Sequence, residues 1–308
     1  MSKNDIYVRG WGAVTILGWS AQESAKNLIE GEIAPAKAGN SSHFISREYK
    51  SFEVPYTDSH LDKSQKMLAC AMDEAIARAE FSRAEIAESS LFVGTTGGLF
   101  IRNEDEFAEE VRLNPSKESP PISCRNRGPG EVTQLIADKY GIKGIAFTFS
   151  MACVSSSHAL VGGCDVFTPT IEESRERMNL TTDNSRLLPV GEGSSWLLLG
   201  GGGQRKIGDI LAVHFASPGE DVLTGNNLPG METKEKYFLP GFRVKEKQID
   251  MWKNKNNWQI HDYLPCCGIH PVAAAFGIAH ALQSKKTGYF LHYNFNAAGR
   301  PAFILARK

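Results

Sequence analysis

The stretch FTFSMACVSSSHAL, Phe147 to Leu160, decides the fold. An aromatic and β-branched run leads through small residues to a cysteine, Cys153, and then to three serines and an apolar helical start. Such a pattern is a strand turning into a helix with a thiol at the turn. A cysteine at the start of a buried helix meets the positive end of the backbone dipole and free N–H groups, which favour the nucleophilic thiolate. An isolated cysteine is more often an inert packing residue, so the flanking sequence has to decide.

Working outward, strand-like runs alternate with helical patterns, which predicts an α/β protein. Ile6 to Val8 opens a strand that runs into Gly10, Gly12 and Gly18. Ser20 and Glu23 then start a helix over Ser20 to Leu28. Asp62 to Ala79 is the clearest amphipathic helix, with Met67, Leu68, Ala71, Ala75 and Ile76 at helical spacing. SLFVGTTGG, Ser90 to Gly98, reads as a buried strand ending in a glycine turn, Glu131 to Tyr140 as a helix, and Ile145 to Ser150 as a strand.

These pieces, in this order, resemble the β-ketoacyl synthases. Phe147 to Leu160 is similar to the family's Thr-Ala-Cys-Ala-Ser-Ser nucleophile motif, and Val8 to Ser20 to its Val-x-Gly-x-Gly-x-Val-Thr opening. Ser90 to Leu99, Pro129 to Gly144, Gly162 to Pro169 and Pro189 to Leu199 resemble further family segments in register. In the second half, Gly268 to Leu282 resembles the segment that carries a catalytic histidine, which maps onto His270, and Asn294 to Lys308 resembles the terminal glycine-rich loop and strand. The resemblance implies a thiolase-like duplicated αβαβα architecture, reduced in its second half, with an N-terminal half over 1–205 and a shortened C-terminal half over 206–308 forming one compact unit.

Departures from the family pattern set the functional expectation. Active members use a cysteine and two histidines, but residues 215 to 260 contain no His-Gly-Thr-Gly-Thr string, only polar sequence read as a solvated loop around Thr233 to Lys255. The lysine that precedes the retained histidine is replaced by the Pro265, Cys266, Cys267 stretch, and the phenylalanine gate maps to Ala297. The interval from Cys153 to Gly162 is short for the usual nucleophile helix and following strand, so either the alignment slips there or the core is reduced. Losing one oxyanion donor costs about 10²–10³ in rate, so the resemblance implies a condensing pair, Cys153 with His270, that is impaired or inactive alone. The expected role is a chain-length-factor-like partner of an active ketosynthase in a polyketide, fatty-acid or aryl-polyene pathway, as a heterodimer or heterotetramer that also meets an acyl carrier protein. The alternative is an acyltransferase using Cys153 with His270, helped by His261 or His292.

Composition excludes other classes. Lys+Arg 34 against Asp+Glu 35 leaves a net charge of -1, which gives no drive toward nucleic acid or an anionic membrane. No apolar run approaches the roughly 20 residues of a membrane span, and the N-terminus lacks the apolar core and cleavage site of a secretory signal, so the expected compartment is the cytoplasm with its six cysteines reduced. No cofactor is expected, and no metal: His261, Cys266, Cys267 and His270 cluster, but without the ligand spacing of a zinc site. Gly200 to Gly203 lacks the spacing of a phosphate loop and reads as a turn between halves. By position, Ile122 to Gly130 is the loop that reaches toward a partner, and Arg125 and Arg127 there are either exposed or matched by partner carboxylates.

Overall fold

The computed structural model describes residues 6–15, 17–29, 37–39, 49–52, 63–95, 112–113, 130–150, 155–162, 165–167, 190–191, 193–200, 206–215, 234–268, 273–295 and 301–308. In chain order the first part holds β1 (Ile6–Thr15), α1 (Ala21–Ile29), β2 (Lys37–Gly39), β3 (Tyr49–Phe52), α2 (Lys63–Ala79), α3 (Arg83–Glu88) and β4 (Leu91–Gly94). Then follow α4 (Gly130–Tyr140), β5 (Ala146–Phe149), α5 (Ser155–Gly162), β6 (Asp165–Phe167), β7 (Val190–Gly191) and β8 (Gly193–Gly200). The second part holds β9 (Gly208–Phe215), β10 (Lys236–Pro240), α6 (Glu246–Asn256), β11 (Gln259–Ile260), α7 (Leu264–Cys267), α8 (Ala273–Gln283), β12 (Tyr289–Phe295) and β13 (Pro301–Arg307).

Ten strands form one sheet in the order β11-β10-β12-β13-β9-β1-β8-β6-β4-β5, and β2, β3 and β7 form a small separate one. The large sheet is a repeat. Outward from its centre, β1 pairs antiparallel with β8, β8 antiparallel with β6, and β6, β4 and β5 run parallel. On the other side, β9 pairs antiparallel with β13, β13 antiparallel with β12, and β12, β10 and β11 run parallel. Each run of five has the same chain order and the same directions, and β1 joins them by pairing with β9. The second run occupies residues 208–307 against 6–200 for the first. Its strand set is therefore complete and the reduction lies in its connections.

Side-chain alternation along the strands sorts the apolar residues into three cores, the mark of five stacked layers. Val14, Leu91, Val93 and Trp196 of the first run pack outward on Met67, Ala71 and Ala75 of α2 and Val132 and Ile136 of α4. Phe238, Leu291, Phe303 and Leu305 of the second run pack outward on Trp252 of α6. Between the two halves of the large sheet lie α5 and α8, where Ala159, Phe276, Ile278 and Leu282 meet Trp11, Leu197, Leu239, Phe290 and Ile304. Residues Ala273 to Leu282 of α8 are all buried, as a helix enclosed between the two halves of the sheet must be.

The run Thr233 to Lys255 is not a solvated loop: it supplies β10 and α6, because its few apolar residues (Phe238, Val244, Trp252) fall where they can be buried together, with Phe238 and Trp252 stacked at 5.1 Å. The nucleophile helix is short, since α5 spans 8 residues before β6 begins.

The glycines of β1 explain its motif. A Cβ on Gly12 would lie 1.8 Å from the Ala71 carbonyl oxygen and one on Gly10 2.3 Å from that of Ala75, so strand and helix meet backbone to backbone. Ala71, Ala75 and Ala79, spaced four apart, keep the facing stripe of α2 equally small. Glu74 fixes this contact by accepting the backbone N–H groups of Ala21 (2.6 Å) and Ala13 (3.2 Å) while pairing with Arg78 (3.0 Å). Overpacking a core by a methyl costs about 1–3 kcal/mol where neighbours can shift. Backbone cannot shift so easily, so Gly12→Ala should cost more than about 3 kcal/mol in urea unfolding, and wild-type stability in that variant would mean that α2 can lift off β1.

Candidate functional site

The parallel strands of the first half deliver the start of α5 to a defined place. Thr95, just past β4, donates its N–H to the Phe149 carbonyl at the end of β5 (2.9 Å) and accepts the Ser155 hydroxyl on its own carbonyl (3.2 Å). A Cβ on Gly94 would lie 2.5 Å from the Ser155 carbonyl oxygen, so only glycine lets the first turn of α5 sit on the strand end. Thr133 of α4 and Thr148 of β5 share a hydrogen bond of 2.6 Å that holds the adjacent strand to its helix. Ser155, Ser156 and Ser157 are fully buried. The C-terminal ends of parallel strands are where open α/β sheets bind ligands, and α5 begins there.

In the second half α8 holds the place that α5 holds in the first, each leading into the fourth strand of its run, and the two helices pack on one another. Cys153 and His270 are the residues that the sequence singles out, and they lie outside the described residues, as do Arg125, Arg127 and Ala297. In sequence, Cys153 stands two residues before α5 and His270 three before α8.

The histidines named as helpers separate into two groups. His261 Nε2 lies 3.2 Å from His280 Nδ1, and the Lys286 ammonium lies 3.2 Å from His261 Nδ1. Lysine can only donate, so His261 accepts at Nδ1 and donates from Nε2, which places the proton of His280 on Nε2. Burial, and then the Lys286 charge, pushes His261 down to about 4. Burial, followed by His261 and Lys286, pushes His280 down to about 3. This cluster sits toward the far end of α8, since His280 is seven residues beyond Ala273, or about 10 Å along the helix. It also lies at the start of β10, where Lys286 covers the Tyr237 ring at 4.8 Å and the Tyr237 hydroxyl donates to Glu235.

His292 lies elsewhere. It shares the inward face of β12 with Phe290 and pairs across the ladder with Leu239, the fourth residue of β10, nearer the C-terminal strand ends. It is completely buried, its Nε2 is 2.8 Å from the Tyr263 hydroxyl, and burial pushes its pKa down to about 3. Tyr263 was not singled out in the sequence, although it immediately precedes α7 and its ring fills the space that a side chain at Gly277 would take. The signal for His292 was available: in YFLHYNF it falls in phase with Phe290, at a buried position of an alternating strand.

Of the candidate metal ligands, His261 is bonded to His280, and the buried Cys267 thiol donates to the Gly268 carbonyl at 3.4 Å. Among the described residues no group of three or more histidine, cysteine or acidic side chains could hold a metal ion, and no described helix is long and apolar enough to cross a membrane.

Similar proteins agree with this architecture. The structure matches a ketosynthase (ApeO) in complex with its chain length factor (ApeC) from Xenorhabdus doucetiae at 15% identity and a TM-score of 0.69, covering 98% of both chains. It matches the ishigamide ketosynthase/chain length factor at 16% identity and a TM-score of 0.70, and a β-ketoacyl synthase from Burkholderia phymatum STM815 at 15% and 0.71, each over 99% of both chains. At such identities these likenesses establish the thiolase-like ketosynthase fold. Sequence comparison with curated proteins finds no match. The model of the β-ketoacyl synthase N-terminal domain matches residues 3–167, more than half of the 308, so the chain belongs to the β-ketoacyl synthase family.

Proposed function

We propose that this chain is a chain-length-factor-like partner of an active ketosynthase, working on carrier-borne acyl chains in polyketide or fatty-acid elongation in the cytoplasm. The observation that carries this reading is the end of the sheet. Among the described residues strand β5 is the last of ten, and Ile145 (66% exposed), Phe147 (53%) and Leu135 of α4 (40%) are the large apolar residues left open around it. An edge strand with exposed aromatic and aliphatic side chains is a template for strand pairing, and proteins that stay monomeric blunt such edges. A partner of the same fold presents the same edge, and a two-fold axis joins two such edges antiparallel. In sequence, strand β5 is followed by Cys153 and then by α5.

Retention of the scaffold beside a second half with no His-Gly-Thr-Gly-Thr string supports a partner over a self-sufficient synthase. Two similar solved structures are themselves ketosynthase and chain length factor pairs. We take the boundary between the halves at 205/206, in the link between β8 and β9, with both halves forming one compact unit.

The second reading, an acyltransferase using Cys153 and His270, draws on their positions just before two central helices that pack on each other. Intact-protein mass spectrometry with acyl- and malonyl-loaded carrier protein separates the two. Elongation only in the mixture with the ketosynthase, surviving Cys153→Ala, is the expected result. An adduct on Cys153 with elongated product from the chain alone overturns it.

A further inference from the structure

The strands of the second half gather charge at one end. Their registers align Lys236 of β10, Tyr289 of β12, Arg307 of β13 and Asp209 of β9 as neighbours in a single row. The row marks the level at which β9, β10 and β12 begin and β13 finishes. In the chain, Lys206 stands two residues before β9, Lys234 two before β10, Lys285 and Lys286 four and three before β12, and Lys308 one after β13. Backbone bonds between Gly288 and Lys308 (3.0 and 3.1 Å) and from Tyr289 to the Glu235 carbonyl (2.9 Å) tie these segments together, so six lysines and Arg307 share one rim. Among the described residues its acidic side chains are Asp209, which pairs with Arg307 and Lys206, and Glu235, which accepts the Tyr237 hydroxyl. The net charge of -1 therefore conceals a strongly basic face.

The way these lysines are held, and their being lysines, narrows the partner. Lys206 lies over the Tyr7 ring at 4.2 Å, Lys286 over Tyr237 at 4.8 Å and Lys234 over Tyr289 at 5.8 Å, so tyrosines of three strands steady ammonium groups along the rim. Four neighbouring strands spread the charges over about 14 Å, as a row across the sheet rather than a ring around one point. A protein carboxylate or a single phosphate is met best by the forked guanidinium, which bonds it at two points. Here the one arginine is committed to Asp209 through Nε (3.0 Å) and Nη2 (2.7 Å). The other cations are lysines, compact point charges, which suit a diffuse anionic plane. The anionic leaflet of a membrane attracts clusters of about four to eight basic residues, and tyrosine suits a boundary that is apolar on one side and wet on the other. No rim residue is an exposed large apolar one, so the attachment is electrostatic, without insertion.

We propose that this rim seats the protein on a membrane surface rich in anionic phospholipid, as a reversible peripheral contact. The C-terminal ends of β9, β10 and β12 then face away from the lipid. Strand β5 lies at the far end of the strand order from β10 and β12, so a partner seated on β5 leaves the rim open.

Flotation of the full chain with vesicles of phosphatidylcholine alone, and of phosphatidylcholine mixed equally with phosphatidylglycerol, tests the proposal. The chain is expected to float with the anionic vesicles and not with the neutral ones. Binding should fall as added salt shortens the screening length below about 8 Å. Each lysine near such a surface is worth about fivefold in affinity, so Lys234→Glu combined with Lys285→Glu should weaken binding about 25-fold or more. Lys245→Glu combined with Lys247→Glu makes the same change in net charge at the start of α6, past the other end of β10, and should leave binding nearly unchanged. All four lysines are exposed, so both variants keep the fold. No flotation, equal flotation with both vesicles, or undiminished binding by the Lys234 and Lys285 variant overturns the proposal. Retention of single-stranded DNA or of an acidic carrier protein without any vesicle binding would give the rim to another polyanion and overturns it as well. None of these results bears on complex formation with a ketosynthase, which is read separately by size exclusion.

Discussion

Phe147→Asp should weaken the proposed complex with a ketosynthase by two orders of magnitude or more while leaving the isolated chain folded. Phe147 lies on the edge strand β5, is 53% exposed, and its ring meets Phe149 at 5.0 Å, so the side chain is open to solvent in the free protein. Removing it takes little from the core. In an interface the same ring would be a central aromatic anchor, and truncating such anchors typically costs about 2–4 kcal/mol. Aspartate adds the cost of a buried, unpaired charge. Leu211→Asp is the matched control, because Leu211 is 40% exposed on β9 in the other half and belongs to no part of the β5 edge. Titration of the labelled chain with ketosynthase should show the loss for position 147 and near-native affinity for 211. Native affinity in Phe147→Asp would move the interface away from β5 and remove the main support for the partner role.

The first half of this fold was legible because its structure is written locally. Gly10 and Gly12 stand two apart in β1, and Ala71, Ala75 and Ala79 four apart in α2, so each element declares the small face that it turns to the other. Ser20 and Glu23 likewise declare the start of α1: the Ser20 hydroxyl accepts the Glu23 N–H at 3.1 Å, and the Glu23 carboxylate accepts the Trp19 N–H at 2.9 Å. The strand ending in Gly94 and the helix after Cys153 were placed by the same kind of signal, and their contact through Ser155 and Thr95 follows from the strand–helix order.

The second half hides its structure behind composition. Helix α6, EKQIDMWKNKN, is strongly polar, and its membership of a core depends on Trp252 stacking on Phe238, a residue fourteen positions away on another element. The duplication was available only through family resemblance, because β11 has two residues and β5 has four, too short for periodicity to reveal that both end equivalent runs. The polar contacts are non-local in the same way. His261 reaches His280 across 19 residues and Lys286 across 25, and Tyr263 reaches His292 across 29. Each histidine viewed alone is a packing residue. Only the fold shows that two of them are hydrogen-bonded to each other toward one end of α8 while the third, on β12, bonds Tyr263.

Those three histidines should also make the protein acid-labile. His261, His280 and His292 have pKa values pushed down to about 4, 3 and 3 from an ordinary 6.5, first of all by burial. They are neutral in the folded chain, and on unfolding each regains its ordinary affinity for a proton. Below pH 6.5 the unfolded state therefore binds more protons than the folded one, and stability falls as pH falls. The loss continues until the folded pKa values are reached near pH 4 and pH 3. For a single group it approaches about 1.4 kcal/mol per pH unit, so His292 alone removes roughly 2 kcal/mol between pH 7 and pH 5. The His261–His280 pair acts in the same direction, and Lys286 beside it strengthens the effect by opposing a second positive charge. Against a typical domain stability of about 5–15 kcal/mol, the sum is enough to bring the midpoint of unfolding into the range of mild acid. Urea midpoints measured from pH 7 to pH 4.5 should fall steeply and together by fluorescence and circular dichroism. His280→Leu should flatten the slope, because it removes one titrating group. A midpoint that stays level between pH 7 and pH 5 would mean that these rings take up protons in the folded protein as readily as in the unfolded one.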